Sequence, residues 1–432
     1  MADLHYTRET MLPQVAPPIT ERGLVKWLRQ NLFSGVFNTV LTLGAIYVVY
    51  QLVAAVMPWL LNGVWNANSL TECREVIAAN GGTDGACWAM IHARWYQWIF
   101  GFYPQDLYWR PTLAFVLLLV AMAPVLFGAL PKKLLYVTLL YPAICFFLLW
   151  GGSVWVPIVA LLGFVVIGLV YRVASPALGV SAGAGVAVVA AVLFWLFAEE
   201  PLVGLLSQIM PLGLRSVDSD EFGGFLLAIT IGVTAIAFSL PLGILLALGR
   251  QSDMLIVKTL SVGFIEFIRG VPLITLLFTA SLLLQYFLPP GTTFDIILRV
   301  IILVTLFAAA YLAEVIRGGL AALPRGQYEA ADALGLDYWQ AQRLIILPQA
   351  LKISIPSIVS TFIGLFKDTT LVSFVGLFDP LRGVTNAVRS DINWKGIYWE
   401  PYIFVGAIFF VICFSMSRYS MYLENKLKTD HR

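Results

Sequence analysis

Long apolar runs separated by short polar tracts dominate the chain. A helix that crosses a bilayer needs about 20 mostly apolar residues. In the first half the runs that qualify are Val36 to Leu61, Thr112 to Leu130, Leu134 to Trp150, Val154 to Tyr171 and Leu178 to Ala198. In the second half they are Gly223 to Leu248, Leu260 to Leu288, Phe294 to Leu312, Leu351 to Phe366 and Tyr402 to Met421. The pattern predicts an all-α integral membrane protein of about ten transmembrane helices. The run ending at Phe366 is followed at once by Lys367 and Asp368 and then by a second apolar run, Leu371 to Phe378. That reads as a broken or re-entrant helix, tolerated only where protein shields it.

Composition agrees. Of 432 residues, 59% are hydrophobic and 12% charged, against roughly 25% charged in soluble domains. A net charge of +2 gives nucleic-acid binding no electrostatic support. Where the basic residues fall is more informative than their sum. With the N-terminus inside, Arg8, Arg22, Lys26, Arg29, Lys132, Lys133, Arg172, Arg250, Lys258, Arg269, Arg317, Arg325, Arg343, Lys352, Arg418, Lys426, Lys428 and Arg432 lie on the cytoplasmic side, as basic residues flanking spans do. The opposite loops keep Arg74, Arg94, Arg110 and Arg215, with a smaller group of Lys367, Arg382, Arg389 and Lys395 near the expected break. Both termini are then expected in the cytoplasm. About 30 polar residues precede the first apolar run, which is too long for the core of a cleaved signal, so the first helix is expected to stay.

Residues 1–34 read as a cytoplasmic tail and 35–200 as a five-helix extension. Within the extension, 62–110 is expected as an outer loop carrying Cys73 and Cys87. In an oxidising compartment that pair either closes a short ring, worth about 3 kcal/mol on the chain-entropy model, or remains two thiols; spacing alone does not decide. Cys145 and Cys413 fall in apolar spans. The extension reads as scaffold, with Gly179, Gly183 and Gly185 suited to close helix packing. The second half differs: Glu266, Arg269, Arg299, Glu314, Arg317, Lys367 and Asp368 lie in or at the edges of its spans. Charges at membrane depth are costly and mark cavities or partners, so function is expected there. Glu266 with Arg269, and Glu314 with Arg317, stand three apart on a helix and read as structural ion pairs.

The tract 323–350, LPRGQYEAADALGLDYWQAQRLIILPQA, reads as two short helices between spans. The first, Gln327 to Leu334, ends at Gly335, which accepts a left-handed conformation without steric cost. Asp337 caps the second with Gln340 completing a capping box, and Pro348 is expected to stop it after Leu347. Alanines on one face admit another surface closely, and Glu329 offers it a charge for an arginine to take. The run Glu329, Ala330, Ala331, Gly335, Ile345, Leu347, Pro348 resembles the EAA loop of ABC importer permeases. Phe264 to Leu273 (FIEFIRGVPL), Ala310 to Gly318 (AYLAEVIRG) and Phe366 to Gly376 (FKDTTLVSFVG) look like the corresponding stretches of polar amino-acid permeases. The whole chain, extension included, looks most like the M-type membrane subunit of general L-amino-acid importers of the bacterial inner membrane.

That resemblance implies that the C-terminal five spans, 223–424, form a type I ABC importer permease core. It also implies that the loop docks on an ATPase pair holding ATP and magnesium, beside a second membrane subunit and a periplasmic amino-acid-binding protein. The chain has no G-x-x-x-x-G-K-[ST] phosphate loop, so hydrolysis is expected in the partner and no cofactor in this chain. Lys367, Asp368, Thr369 and Thr370 are candidates for the substrate path: Asp368 would meet an ammonium, while hydroxyls or freed backbone N–H groups meet a carboxylate. The alternative is that Lys367 and Asp368 only pin the break. An ion-driven carrier would also tolerate intramembrane charges but does not require the loop spacing. An enzyme has little support, since His5, His92 and His431 lie outside the spans and neither H-E-x-x-H nor G-x-S-x-G occurs.

Overall fold

The computed structural model describes residues 23–287 and 294–427. Most of the expected N-terminal tail, including His5, Arg8 and Arg22, lies outside them, as do Leu288, Lys428, His431 and Arg432. Among the described residues, nine helices are long and apolar enough to cross a membrane, or ten if one bent pair counts as a single span.

The first compact unit ends at Ala89. It holds α1 (Gly23–Asn31), α2 (Val36–Leu61) and α3 (Leu70–Ala79). At 26 residues, α2 reaches about 39 Å, more than the hydrocarbon core requires. Beyond it, Cys73 and Cys87 form a disulfide with Cα atoms 5.9 Å apart. Ser69 caps α3 by accepting from the Glu72 N–H. Trp88 stacks on Trp65 and tilts against Trp59. The tract expected as a loop therefore contains helix α3 and, further on, helix α4.

The second unit starts at Met90. Its first part is α4 (Ala89–Phe100), α5 (Trp109–Leu126), α6 (Leu135–Trp150), α7 (Trp155–Leu178), α8 (Val180–Leu193) and α9 (Glu199–Ile209). The span expected over Thr112 to Leu130 begins earlier and ends at Leu126, because Pro124 stands in its last turn. The run expected to stop at Ala198 continues through a π turn, Phe194–Ala198, into α9. Of the three small residues expected to ease packing, Gly183 lies against the Ser175 backbone, Gly179 makes the turn between α7 and α8, and Gly185 has open space beside it. Two two-residue strands, β1 (Gly152–Ser153) and β2 (Gly213–Leu214), pair antiparallel and close this part.

The remaining helices are α10 (Gly224–Gln251), α11 (Leu255–Gly270), α12 (Leu273–Phe287), α13 (Ile296–Ala321), α14 (Gly326–Ala333), α15 (Tyr338–Ala341), α16 (Leu347–Asp368), α17 (Pro380–Ser390) and α18 (Trp399–Leu427). α10 and α13 form the central pair, and Gly243 admits the Leu312 side chain between them. Two sequence expectations fail here. The run Leu260 to Leu288 is not one straight span: α11 and the start of α12 meet at 101°, at the Val271–Pro272 step where Pro272 removes a helical donor. Conversely, the break expected at Lys367 and Asp368 is absent. α16 runs through both and tightens into the 3₁₀ turn Thr369–Val375, which ends at Gly376.

The helices of the extension that lie in this second unit, from α4 onward, are bound to these helices at the end away from α14. Trp98 is fully buried and meets Phe404. Arg94 pairs with Asp391, and the Tyr103 ring meets Phe222 edge-on at 5.6 Å. Arg110, expected in an outer loop, is buried in α5 and donates to the Arg215 carbonyl at 2.7 Å. The contact is closest where Gly101 and the pair Gly223 and Gly224 pass. Gly101 and Gly224 have φ of +70° and +57°, and a Cβ on either would overlap neighbouring backbone, at Gly223 or at Trp98. Gly101→Ala and Gly224→Ala are each expected to destabilise the protein by about 2–4 kcal/mol, combining left-handed strain with a backbone clash. Thermal melts of the detergent-solubilised variants check this.

Asp379 is buried and caps α17, accepting from the Leu381 and Arg382 N–H groups at 3.0 and 3.1 Å. Burial pushes its carboxyl up to about 6, against the pull of those N–H groups and of Arg382. An unfolded aspartate titrates near 3.9, so folding favours the protonated form. The resulting stability is fully present below about pH 4 and lost as pH rises through about 6. Asp379→Asn keeps the cap acceptor and removes the titration. Its melting temperature is expected to vary less than wild type across that window, which a melt series from pH 4 to 7 reads directly.

Candidate functional site

Three features gather around α13 and α16: an exposed helical loop, an ionic cluster and a cavity. The loop is built as its residue types dictate. Gly335, with φ of +67°, turns the chain out of α14. Asp337 then starts α15, its side chain accepting from the Gln340 N–H at 2.8 Å while the Gln340 side chain accepts from the Asp337 N–H at 3.1 Å. Pro348 does not stop this helix. It sits in the first turn of α16, and the π turn Gln342–Ile346 before it routes the Leu347 N–H to the Gln342 carbonyl. Because the proline ring removes one N–H and crowds the preceding turn, a wider turn is how the helix continues past it.

Of the residues singled out in this loop, Glu329, Ala330, Gly335 and Pro348 are exposed, Ile345 and Leu347 are half-buried, and Ala331 is buried. Tyr328, Ile345 and Leu347 pack against a core that includes Leu323, Ile346 and Ala350. The Gln349 side chain donates to that of Gln327 at 2.9 Å, tying α14 to α16. Sequence reasoning did not single out the large apolar side chains left in solvent here: Leu334, Tyr338, Trp339 and Leu344 are 53–72% exposed. Their signal was apolar residues inside a polar tract with no buried partner face.

The ionic cluster corrects one expected pairing. Glu266 and Arg269 do not pair with each other; both reach across to neighbouring helices. Arg250 of α10 bonds Glu266 at 2.8 Å and lies 3.5 Å from Glu314, while Arg269 stands 3.8 Å from Glu314. Glu314 does pair with Arg317, through Nε at 2.9 Å. One carboxylate of α13 thus receives three arginines from α10, α11 and α13. Arg299, the other charge in α13, is buried and donates to the Ser281 carbonyl at 2.7 Å.

A cavity of about 270 Å³ opens between α13 and α16, lined by Phe307, Ala308 and Tyr311 from the first and Thr361, Gly364, Leu365 and Asp368 from the second. Of the four residues expected along a substrate path, Asp368 lines it. Lys367 points to an exposed face. Thr369 is buried, its hydroxyl donating to the Phe366 carbonyl at 2.7 Å, and the Thr370 hydroxyl donates to the Lys367 carbonyl at 2.9 Å. Both hydroxyls satisfy the tightened end of α16. Tyr311 was missed: an aromatic in an apolar span carries no sequence mark of a cavity.

Residues 239–429 match the family described as binding-protein-dependent transport system inner membrane component. The glutamate/glutamine/aspartate/asparagine transport system permease protein BztC of Rhodobacter capsulatus is 68% identical over 434 residues, spanning 100% of both chains. The inner membrane amino-acid ABC transporter permease protein YhdY of Escherichia coli K12 is 40% identical over 421 residues, 96% of each chain. In the crystal structure of an amino acid ABC transporter with histidines, one chain is 30% identical, with a TM-score of 0.41, over 47% of this chain and 91% of that one. Two relatives aligned over nearly their whole length, extension and core alike, leave one assignment: the chain belongs to the binding-protein-dependent transport system inner membrane components, among the amino-acid ABC transporter permeases.

Proposed function

We propose that this chain forms half of the membrane channel of an ATP-driven importer and carries amino acids from periplasm to cytoplasm. Glutamate, glutamine, aspartate and asparagine, the substrates in the name of the relative at 68% identity, are the first candidates. Both termini lie in the cytoplasm of an inner-membrane protein, which puts α14 and α15 on the side where ATP is available. Arg250, Arg325 and Arg343 near that end fit the orientation.

The observation that carries the reading is the junction of loop and cavity. Glu329, Ala330 and Gly335 present an open face, flanked by exposed Leu334 and Trp339. The loop then runs without interruption, through the π turn, into the helix that lines the cavity. A partner ATPase pair, holding ATP and magnesium, docks there. Its closure pushes on α14 and α15, and α16 transmits that displacement to the cavity wall. A second membrane subunit, related to this one, supplies the other half, and a periplasmic amino-acid-binding protein delivers substrate. Asp368 contributes a carboxylate for the substrate ammonium.

Glu329→Lys reverses the charge on the open face without touching the buried Ala331. Uptake of labelled glutamate is expected to fall at least about tenfold, the loss of one charge-assisted contact, with membrane abundance unchanged on immunoblot and the ATPase no longer co-purifying in mild detergent. Wild-type uptake by this variant would remove the docking role from the loop.

A further inference from the structure

Beyond Asp368, the cavity has a second polar end. α13 and α16 run antiparallel, so Phe307 and Asp368 mark one end of the cavity and Tyr311 and Thr361 the other. Thr361 and Asp368 stand seven residues apart on one helix, about 10 Å at the helical rise. The Arg269 guanidinium lies 5.7 Å from the centre of the Tyr311 ring, on whose face it rests. Glu314, one turn further along α13, is its nearest carboxylate at 3.8 Å, the longest ion-pair distance in the cluster. The other two arginines hold Glu314 or Glu266 more closely. Three guanidiniums against two carboxylates leave this group with one positive charge in excess, and Arg269 is the member that reaches the cavity wall.

The α-ammonium and α-carboxylate of an amino acid are attached to one carbon, so they cannot occupy both ends of a cavity this long. If the ammonium lies at Asp368, the group that reaches Tyr311, the lining residue on which Arg269 rests, is the far end of the side chain. We infer that Arg269 is a specificity-determining residue that reads the side-chain terminus of the substrate and favours a carboxylate there. The inference rests on the cavity being the substrate path, as proposed above. Held by cation–π contact on Tyr311 and loosely by Glu314, the guanidinium can take a second carboxylate with little movement. It stands one residue before Gly270, the last residue of α11 ahead of the bend into α12, so a shift of that elbow moves it relative to the cavity.

The test uses the full chain in its native membrane with its own partners, comparing Arg269→Gln, Arg269→Lys and Asp368→Asn. Initial uptake of labelled glutamate and glutamine is measured at saturating concentrations, so that delivery to the membrane subunits is equal, with membrane abundance checked by immunoblot. Arg269→Gln is expected to lower the glutamate-to-glutamine rate ratio about tenfold, and Arg269→Lys, which keeps the charge and loses the fork, to fall between it and wild type. Asp368→Asn is expected to lower both rates together. Equal loss of both substrates in Arg269→Gln, at an unchanged ratio, overturns the inference and leaves Arg269 as a structural member of the cluster. Unchanged rates in Asp368→Asn overturn the cavity as the path, and the inference with it. Should Arg269→Gln be absent from the membrane, Arg269→Lys decides: a lowered ratio at normal abundance supports the inference, and a wild-type ratio overturns it.

Discussion

Gly243 lets α10 lie directly against α13, its missing side chain filled by Leu312, and nearly everything else in the C-terminal part is arranged around that seam. Ile231, Ala235, Val300, Val304 and Ala308 continue it toward one end, and Ala247, Leu248, Ala313 and Ile316 toward the other, all at or near complete burial. Helices in lipid gain little from hydrophobic transfer, so their association depends on close packing of small side chains. The seam supplies that packing in a sheath of helices whose outer faces remain apolar and exposed. Phe366 of α16 fits against Gly232, which brings α16 to the same axis and opens the cavity between it and α13.

The ionic cluster is held by that geometry rather than holding it. Its side chains remain 23–54% exposed, and pairs of that kind add little net stability. What they add is direction: Glu314 draws arginines from three helices to one point beside the cavity and beside the loop. Of the three, Arg269 of α11 makes the longest contact with that carboxylate.

The extension is more than a tether. Tyr103, Leu107, Ala114, Leu148 and Leu149 share one hydrophobic cluster with Phe222, Leu227, Val300, Leu365 and Val372, so α4 to α6 and the permease core bury a common interior at the end away from the loop. Arg94 with Asp391, and Arg110 with the Arg215 carbonyl, close its edges. The two ends of the core are thus differently constrained. One is packed against additional protein, while the other presents an open helical face.

Local rules in the sequence were enough for the spans, the asymmetry of basic residues, the capped helix pair with its Gly335 turn, and the resemblance carried by Glu329 to Pro348. Each depends on residues close together in the chain: apolar length, a left-handed glycine, a capping box. Asp368 was legible as a polar group at depth for the same reason. The tertiary structure alone decided that Glu266 and Arg269 reach other helices, that Lys367 turns outward, that Tyr311 faces a cavity, and that the bend falls at Pro272 rather than at Asp368. An i,i+3 spacing permits a pair but does not weigh it against arginines arriving from α10 and α11. A charge within an apolar run does not break a helix if its side chain finds a cavity or an open face. Those outcomes depend on which helices meet, and the α10–α13 seam that brings them together joins residues far apart in the sequence.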